Sequence, residues 1–261
     1  MSHHLPWPWP RIQAHRGAGR LAPENTLAAI RRSHAMGFRA IEIDARLTRD
    51  EVPVVIHDRT LERTTDGAGA VAEATADEIA RLDAGSWFGP QYRGEPVPRL
   101  TEVIAFCRAQ GIWMNLEIKR YADRSTHIGE VVARTAAQCY RDLLRPGGER
   151  AESVVLQAPL LSSFGREALL AARAAAPSLP RGYLVDDVPE NFAAELEELG
   201  CVSLHTDHET LTRDKARAVK DAGYWLFCYT VDDPARAREI LGWGVDALCT
   251  DRIDLIGAGF A

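Results

Sequence analysis

Acidic, histidine and lysine residues recur in this chain at the ends of short apolar runs. Four such runs read IQAHRG (12–17), IEID (41–44), VVIHD (54–58) and LEIK (116–119). Charged side chains are rarely buried without partners, so four strands that deliver them at the same end indicate one shared site. Three carboxylates suit a hard divalent cation, two imidazoles suit proton transfer, and an arginine and a lysine suit an anion. Together these residues predict metal-assisted phosphate-ester chemistry.

Glu42 and Asp44 are the first candidate metal ligands. They lie two positions apart on a predicted strand, so both side chains point to the same face. An isolated pair of this kind more often marks a solvated face, but two inward carboxylates need a cation between them. Glu117 lies in an equivalent run, with Lys119 on its own face. All-oxygen ligation favours Mg²⁺ or Ca²⁺ over zinc, so we expect one divalent cation of this type.

His15 and His57 are the candidate acid and base. Each ends a strand-like run, and an imidazole that titrates near neutrality can take or give a proton. A single histidine in such a place is more often structural, and the pairing with metal-type carboxylates is what favours catalysis. Arg16 can bind phosphate oxygens through two parallel hydrogen bonds. His205 also ends a predicted strand and is a secondary candidate.

Composition narrows the possible classes of protein. A chain of 261 residues with 46% hydrophobic residues fits one large α/β barrel or two ordinary domains. The net charge of −6 and the absence of a basic block argue against nucleic-acid binding. No run approaches the about 18 apolar residues of a membrane span, and the first ten residues lack a secretory pattern. The five cysteines are scattered without CxxC spacing, which favours reduced core thiols in a cytoplasmic protein.

Strand-like runs alternate with helical runs along most of the chain, which predicts a parallel sheet with crossover helices. The first helix follows PENT (23–26), where Asn25 or Thr26 can cap it, and ends near Gly37. Further helices are expected at 100–110, 128–144, 166–175, 191–199, 212–222 and 234–243. Further strands are expected at 153–157, 182–185, 202–205, 225–231 and 246–250.

These runs amount to nine strand candidates for a TIM-type (β/α)8 barrel of eight strands. Only seven residues separate Arg46 from Val54, whereas a parallel pair needs a crossover of about a dozen. Either the barrel lacks a helix there or one run is not a barrel strand. We favour the missing helix, with one further candidate between 182 and 205 outside the barrel. The predicted fold is therefore a single barrel domain over 1–261 that is irregular near strands 2 and 3.

Residues 59–98 break the alternating pattern. They are rich in turn residues, and 40 residues are too many for a plain loop in a compact domain. We interpret this segment as a small insertion on the active face of the barrel. Its aromatic residues Trp87, Phe88 and Tyr92 could line an apolar groove, and we expect Trp87 and Phe88 to influence the choice of substrate.

The ordered set of motifs resembles the glycerophosphodiester phosphodiesterase family of the bacterial, cytoplasmic type. The matching pieces are HRG (15–17), PENT (23–26), EID (42–44), VVIHD (54–58), LEIK (116–119) and TDR (250–252). They cover residues 12 to about 252, and the family has an insertion where residues 59–98 lie. The resemblance implies a TIM-type barrel enzyme that hydrolyses glycerophosphodiesters to glycerol 3-phosphate and an alcohol.

The resemblance also implies a role for each matched residue. Three carboxylates would bind the metal, two histidines would transfer protons, and two cations would hold the phosphate. In that order these residues are Glu42, Asp44 and Glu117; His15 and His57; and Arg16 and Lys119. Glu24, counted with the substrate-binding residues, would support the rim of the site together with Asn25. Asp58 would orient His57 or its loop.

One departure from the family pattern concerns the substrate pocket. Where the family usually has a tryptophan before Thr-Val on a late strand, this chain has Tyr229. A tyrosine keeps an aromatic wall and adds a hydroxyl group. We therefore count Tyr229 among the substrate-binding residues and expect it to influence the choice of alcohol.

Several alternatives stay open at this point. The nucleophile is either water or the substrate's own 2-hydroxyl, and the second route passes through a cyclic phosphate. A lysophospholipase D or another lipid phosphodiesterase on the same barrel is the rival enzyme. A barrel that only binds phosphodiesters would have lost an acid, a base or a ligand, and none is missing. The expected partner is a small-molecule glycerophosphodiester, without nucleic acid or stable membrane insertion, and the oligomeric state is left open.

Overall fold

The computed structural model describes residues 6–121, 124–144 and 157–261. In these residues nine strands form one sheet, and eight of them are parallel and close into a barrel, because the first strand pairs with both the last and the second. The predicted TIM-type fold is thus confirmed, with one additional strand. The barrel strands are β1 (Ile12–Ala14), β2 (Ala40–Leu47), β4 (Trp113–Ile118), β5 (Leu160–Ser163), β6 (Arg181–Val185), β7 (Ser203–Asp207), β8 (Trp225–Tyr229) and β9 (Ala247–Thr250), and the additional strand is β3 (Pro53–Val55).

Eight α-helices lie in the described parts of the chain. They are α1 (Leu27–Ala35), α2 (Ala76–Ile79), α3 (Leu100–Gln110), α4 (Ser125–Cys139), α5 (Arg166–Ala175), α6 (Phe192–Leu199), α7 (Arg213–Asp221) and α8 (Pro234–Gly242). Helix α1 begins as predicted, with the Thr26 hydroxyl accepting a hydrogen bond from the Ala29 N–H at 3.1 Å. Among the residues described, no helix combines the length and apolar character needed to cross a membrane.

The run 54–58 is not a barrel strand, so the prediction of a missing helix is wrong. Strand β3 pairs antiparallel with the outer end of β2, with Val54 opposite Arg46. An antiparallel hairpin needs only a short turn and no crossover. The returning chain meets the barrel mouth, where the Ile56 N–H donates to the carbonyl of Asp44 at 3.0 Å. His57 therefore follows directly beside the end of β2.

The prediction that a strand candidate between 182 and 205 lies outside the barrel is also wrong. Both candidates are barrel strands, β6 and β7, and Gly182 is opposite Ser203 in their parallel pairing. The remaining barrel position is filled by β5, which the sequence pattern does not predict. Of the strand expected at 153–157, residues 153–156 lie outside the described part of the chain.

Strand β5 is not predicted from the sequence because its second half consists of buried serines, so it lacks the apolar run typical of a buried strand. The Ser162 hydroxyl donates to Asn115 Oδ1 at 2.8 Å, and the Ser163 hydroxyl donates to the carbonyl of Ile118 at 2.7 Å. These bonds satisfy both buried hydroxyls, so the strand is buried without being hydrophobic throughout.

Strand β2 shows how the barrel separates its two faces. Every residue from Ala40 to Leu47 is buried. Ile41 and Ile43 belong to the main apolar core, to which the surrounding helices contribute. Side chains alternate along a strand, so Glu42 and Asp44 point to the interior. The carboxylates are therefore directed toward the C-terminal end of the barrel, where such folds build their sites.

The opposite end of the barrel is filled by tryptophans. Trp113 and Trp225 begin β4 and β8, and the indole of Trp9 stacks on Trp113 with 4.7 Å between ring centroids. Trp7 makes edge contacts with all three of these rings. This aromatic cluster closes the N-terminal end, so a ligand has the C-terminal end available to it.

Residues 59–98, where the sequence predicts a small insertion, lie between β3 and α3. It contains α2 and two short 3₁₀ turns, Val71–Glu73 and Pro90–Tyr92. Its apolar side chains form a separate cluster with two residues of the β3 segment: Val54, Ile56, Leu61, Val71, Ala76, Ile79, Ala84 and Val97. The insertion therefore packs on the segment that carries His57.

Candidate active site

A cavity of about 220 Å³ lies at the C-terminal end of the barrel. Eight of the nine predicted site residues line it: His15, Arg16, Glu42, Asp44, His57, Glu117, Lys119 and Tyr229. Glu24 is the exception, since it reaches the cavity only through its contact with Arg16. The strand ends named in the sequence thus converge on one place.

Three buried carboxylates form the centre of this cavity. Glu42 and Asp44 come from β2 and Glu117 comes from β4, where it lies opposite Asp44. One carboxylate oxygen of each lies within 4.8 Å of the others. The three side chains belong to residues no more than 9% exposed. Such a cluster repels itself unless cations balance the charge.

The pKa values of the cluster reflect this repulsion. Burial and the charge of Asp44 raise the pKa of Glu42 to about 8. Burial also raises the pKa of Glu117, against the attraction of Lys119. For Asp44, burial acts against ionisation, but Lys119 and Arg16 outweigh it and lower the pKa. Two of the three carboxylates therefore hold protons more tightly than they would in water.

This donor set fits a divalent cation. The ammonium of Lys119 lies 2.7 Å from Glu117 Oε1 and 3.2 Å from Asp44 Oδ1. Arg16 also lies near the cluster, with Nε 3.7 Å from Asp44 Oδ2, but two cationic side chains do not balance three carboxylates. Oxygen ligands of this kind suit Mg²⁺ or Ca²⁺. The fit is the one expected from the sequence, and Glu42, Asp44 and Glu117 are the residues that would hold the ion.

His15 follows β1 and is held from two sides. Its Nδ1 lies 2.7 Å from Asp251 Oδ1, and its Nε2 lies 3.7 Å from Glu42 Oε2. Burial lowers the pKa of His15, but the hydrogen bond with Asp251 and the charge of Glu42 outweigh burial and raise it. Because a carboxylate occupies Nδ1, the nitrogen that faces the acidic cluster is Nε2.

His57 is held in a similar way. Its Nδ1 lies 2.7 Å from Asp58 Oδ1, the contact expected if Asp58 orients the ring. Its carbonyl accepts a hydrogen bond from Arg46 Nε at 2.7 Å. Burial lowers the pKa of His57, and the opposing charge of Asp44 does not cancel this effect. Each histidine thus has its own aspartate at Nδ1, Asp251 for His15 and Asp58 for His57. The pKa of His15 is raised, whereas that of His57 is lowered.

Arg16 has an unusual backbone conformation, with φ at +48° in the left-handed region that non-glycine residues rarely adopt. Its Nη1 donates to Glu24 at 2.9 Å, and its backbone N–H donates to Glu42 at 3.3 Å. Its Nε is buried and lies 3.7 Å from Asp44 Oδ2, an ion-pair distance, and makes no hydrogen bond among the described residues. A buried guanidinium with a donor free of hydrogen bonds beside the cavity fits an anionic ligand.

Asn25 supports the acidic cluster from outside the barrel strands. Its amide donates to Asp44 Oδ2 at 2.7 Å, and its Oδ1 accepts from the Asp44 N–H at 3.2 Å. Two opposed hydrogen bonds hold the Asp44 side chain and backbone together. The PENT segment therefore contacts a candidate metal ligand.

The aromatic residues divide into two groups. Tyr229 lines the cavity, and its hydroxyl donates to the carbonyl of Val185 at 2.8 Å. Trp87, Phe88 and Tyr92 pack against one another in the insertion and do not line the cavity. Their position assigns them to the packing of the insertion rather than to a groove beside the acidic cluster.

His205 is not part of the site. It is fully buried in the barrel, with Nε2 2.9 Å from the Ser203 hydroxyl, and burial lowers its pKa to about 3. A histidine in this position is neutral at physiological pH. The secondary candidate is therefore a structural residue.

Asp251 and Arg63 are among the residues that contact the site without a role predicted from the sequence. Asp251 follows the last barrel strand, so it shows the same signal of an acid at a strand end as the other site residues. Arg63 lies in the turn-rich insertion, where no periodic pattern indicates which way its side chain points or whether it is buried. Its contacts to Glu24 and Asp58 depend on how the insertion folds back.

Comparisons with known proteins place this barrel among the phosphodiesterases. The chain matches the glycerophosphoryl diester phosphodiesterase family over residues 15–255, and it belongs to that family of enzymes. It is 33% identical over 243 residues to a glycerophosphodiester phosphodiesterase of Caldanaerobacter subterraneus subsp. tengcongensis, covering 92% of this chain and 93% of the relative. It is 32% identical to a glycerophosphodiester phosphodiesterase of Bacillus subtilis, covering 93% of this chain and 83% of the relative.

A solved structure agrees with this placement. The chain is similar to a phosphodiesterase of Oleispira antarctica that was determined in complex with the product sn-glycerol-3-phosphate. The two share 33% sequence identity and a TM-score of 0.85, with 96% of each chain covered. Family membership, and with it the expected class of enzyme, is therefore confirmed.

Proposed function

We propose that this protein hydrolyses glycerophosphodiesters to glycerol 3-phosphate and an alcohol, using one divalent cation and two histidines. The observation that carries the proposal is a single cavity in which three carboxylates lie beside two imidazoles, each held at Nδ1 by an aspartate. The product bound in the Oleispira antarctica phosphodiesterase supports glycerol 3-phosphate as the product here.

The cations of the site are suited to the phosphate group. The carboxylates of Glu42, Asp44 and Glu117 would hold Mg²⁺ or Ca²⁺, which would supply Lewis acidity toward the phosphate and a hydroxyl. The guanidinium of Arg16 and the ammonium of Lys119 bind phosphate oxygens. Glu24 acts at the rim of the site by holding Arg16.

The two histidines transfer protons on opposite sides of phosphorus. One takes the proton of the attacking hydroxyl as its oxygen bonds to phosphorus. The other gives a proton to the alcohol oxygen as the bond between that oxygen and phosphorus breaks. The attacking group is either water or the 2-hydroxyl of the glycerol moiety, and in the second case a cyclic phosphate forms and is then hydrolysed.

A substrate panel tests this function. Glycerophosphocholine, glycerophosphoethanolamine and a lysophospholipid are each incubated with the protein in EDTA, Mg²⁺ or Ca²⁺. We expect glycerol 3-phosphate from the first two substrates with a metal and none in EDTA. Hydrolysis of the lysophospholipid alone would favour a lysophospholipase D instead.

The histidine pair is tested with His15→Ala and His57→Ala. Each variant is expected to lower turnover by about 10²-fold or more, the usual scale for a positioned acid or base. A nitrophenyl ester, which needs no proton on its leaving group, should restore activity to the variant that lacks the acid and not to the other. His127→Ala is the control, because His127 pairs with Glu51 away from the cavity. Equal losses on both substrates in both variants would contradict proton transfer.

A further inference from the structure

Arg63 lies in the insertion and does not line the cavity, yet it contacts two residues that hold the site. Its Nη1 and Nη2 donate to Glu24 at 2.7 and 2.8 Å. Its Nε and Nη2 donate to Asp58 at 2.6 and 3.0 Å. Arg63 thus makes two hydrogen bonds to each carboxylate. A planar guanidinium is the cationic side chain that can pair with two carboxylates in this way at once.

Each of these carboxylates holds a different side chain of the cavity. Glu24 accepts a hydrogen bond from Arg16 at 2.9 Å. Asp58 lies 2.7 Å from Nδ1 of His57. Arg63 therefore connects to the cavity by two routes. One runs through Glu24 to Arg16, the proposed phosphate-binding residue, and the other runs through Asp58 to His57, the proposed proton-transfer residue.

The charges explain why both routes depend on Arg63. The side chains of Glu24 and Asp58 are 13% and 27% exposed. Burial opposes the ionisation of Glu24, but the hydrogen bonds from Arg63 and the charge of Arg16 outweigh it and lower its pKa. The hydrogen bond from Arg63 is also the main reason that the pKa of Asp58 is lowered. Without Arg63, both carboxylates lose a partner and are free to turn away from the residues they hold.

Building on the function proposed above, we propose that Arg63 is a positioning residue that holds Arg16 and His57 in their relative places through Glu24 and Asp58. The insertion 59–98 thereby affects the chemistry without contributing a group to the cavity. Residues that orient functional groups in this indirect way typically change activity by about 10- to 100-fold when replaced.

The test compares Arg63→Gln and Arg63→Lys with Arg81→Gln, an exposed arginine of the same insertion that makes no described hydrogen bond to the site. We expect Arg63→Gln to lower kcat by about 10- to 100-fold and to raise KM, because both His57 and Arg16 lose their support. Arg63→Lys should retain part of kcat, since an ammonium can serve one carboxylate but not both in the same geometry. Arg81→Gln should match the wild type.

Two further measurements separate positioning from mere stability. Added methylguanidinium should restore part of the activity of Arg63→Ala, and the rise in Tm on adding Mg²⁺ should be unchanged in every Arg63 variant. Adding Arg63→Gln to a Glu24→Gln, Asp58→Asn protein should cause little further loss, because the three residues act through the same contacts.

Specific results would overturn the role of Arg63. Wild-type kinetics in Arg63→Gln would do so, as would a loss of activity that tracks a falling Tm and does not respond to methylguanidinium. The wild type in the same assay separates this outcome from a failure of the proposed function. An inactive wild type overturns both proposals, whereas equal activity in the wild type and Arg63→Gln overturns only the role of Arg63.

Discussion

The imidazole of His15 and the carboxylate of Asp251 lie 2.7 Å apart, although 236 positions separate them in the chain. Strands β1 and β9 close the barrel, and Ala14 is opposite Thr250 in their pairing. The residue that follows each strand is therefore His15 after β1 and Asp251 after β9. A carboxylate at Nδ1 selects the ring tautomer and stabilises the imidazolium form.

Replacing Asp251 should impair His15 without removing it. In Asp251→Asn we expect turnover to fall by about 10- to 100-fold. The hydrogen bond with Asp251 helps to raise the pKa of His15, so the limb of the pH–rate profile that reports His15 should move to lower pH. Asp254→Asn, which affects an exposed pair with Arg252, is the matched control. The same profile in both variants would contradict an orienting role for Asp251.

The three carboxylates should each be required for metal-dependent activity. Glu42→Gln, Asp44→Asn and Glu117→Gln are expected to lose activity while keeping their circular dichroism spectra. The rise in Tm that Mg²⁺ or Ca²⁺ produces should disappear with them, because an ion that binds the folded state stabilises it. Glu130→Gln, in an exposed pair with Arg134, is the control. A fully active triple variant would exclude this cluster as the metal site.

Glu42 should make the stability of the metal-free protein fall as the pH rises from about 4.5 to about 8. Its pKa rises from an ordinary value of 4.5 to about 8 in the folded state. The stability that this group contributes is therefore complete below pH 4.5 and is lost as the pH rises toward 8. In EDTA we expect Tm to fall across this range, and Mg²⁺ should reduce the fall because a cation favours the ionised carboxylate. A Glu42→Gln protein with the same fall in Tm as the wild type would contradict this assignment.

Tyr229, and not Trp87, should influence which alcohol group is preferred. Tyr229→Phe removes a hydrogen bond to Val185 at the wall of the cavity, a contact worth about 1 kcal/mol or about fivefold in rate. We expect this variant to change the ranking of glycerophosphocholine, glycerophosphoethanolamine and a lysophospholipid by kcat/KM. Trp87→Ala should leave the ranking unchanged, since Trp87 is 42% exposed and lies outside the cavity. Equal changes for all three substrates in Tyr229→Phe would exclude a role in specificity.

Local sequence patterns located the chemistry of the site. Glu42 and Asp44 could be placed on one face because strand side chains alternate, whatever the rest of the chain does. His15, His57 and Glu117 could be associated with them because each follows or ends an apolar run, and parallel strands bring such ends to one side of a barrel. All five residues chosen in this way line one cavity.

Strand pairing could not be derived from the same patterns. The composition of the run 54–58 is typical of a strand, whether that strand pairs parallel or antiparallel. Its antiparallel pairing with β2 is decided by the hairpin contacts. Strand β5 is likewise specified by the hydrogen bonds of Ser162 and Ser163, which depend on residues of β4. Periodicity reports burial along one segment and carries no information about which partner satisfies a polar group.

The sequence by itself therefore determined the kind of chemistry, the donor types and the strand ends that carry them, because these are local properties of the chain. Only the tertiary structure decided which residues support the site. Asp251 reaches His15 through the closing strands of the barrel, and Arg63 reaches Glu24 and Asp58 through the folding of the insertion. These contacts join segments that are distant in the chain or lack periodicity, so they exist only once the barrel has closed and the insertion has packed against it.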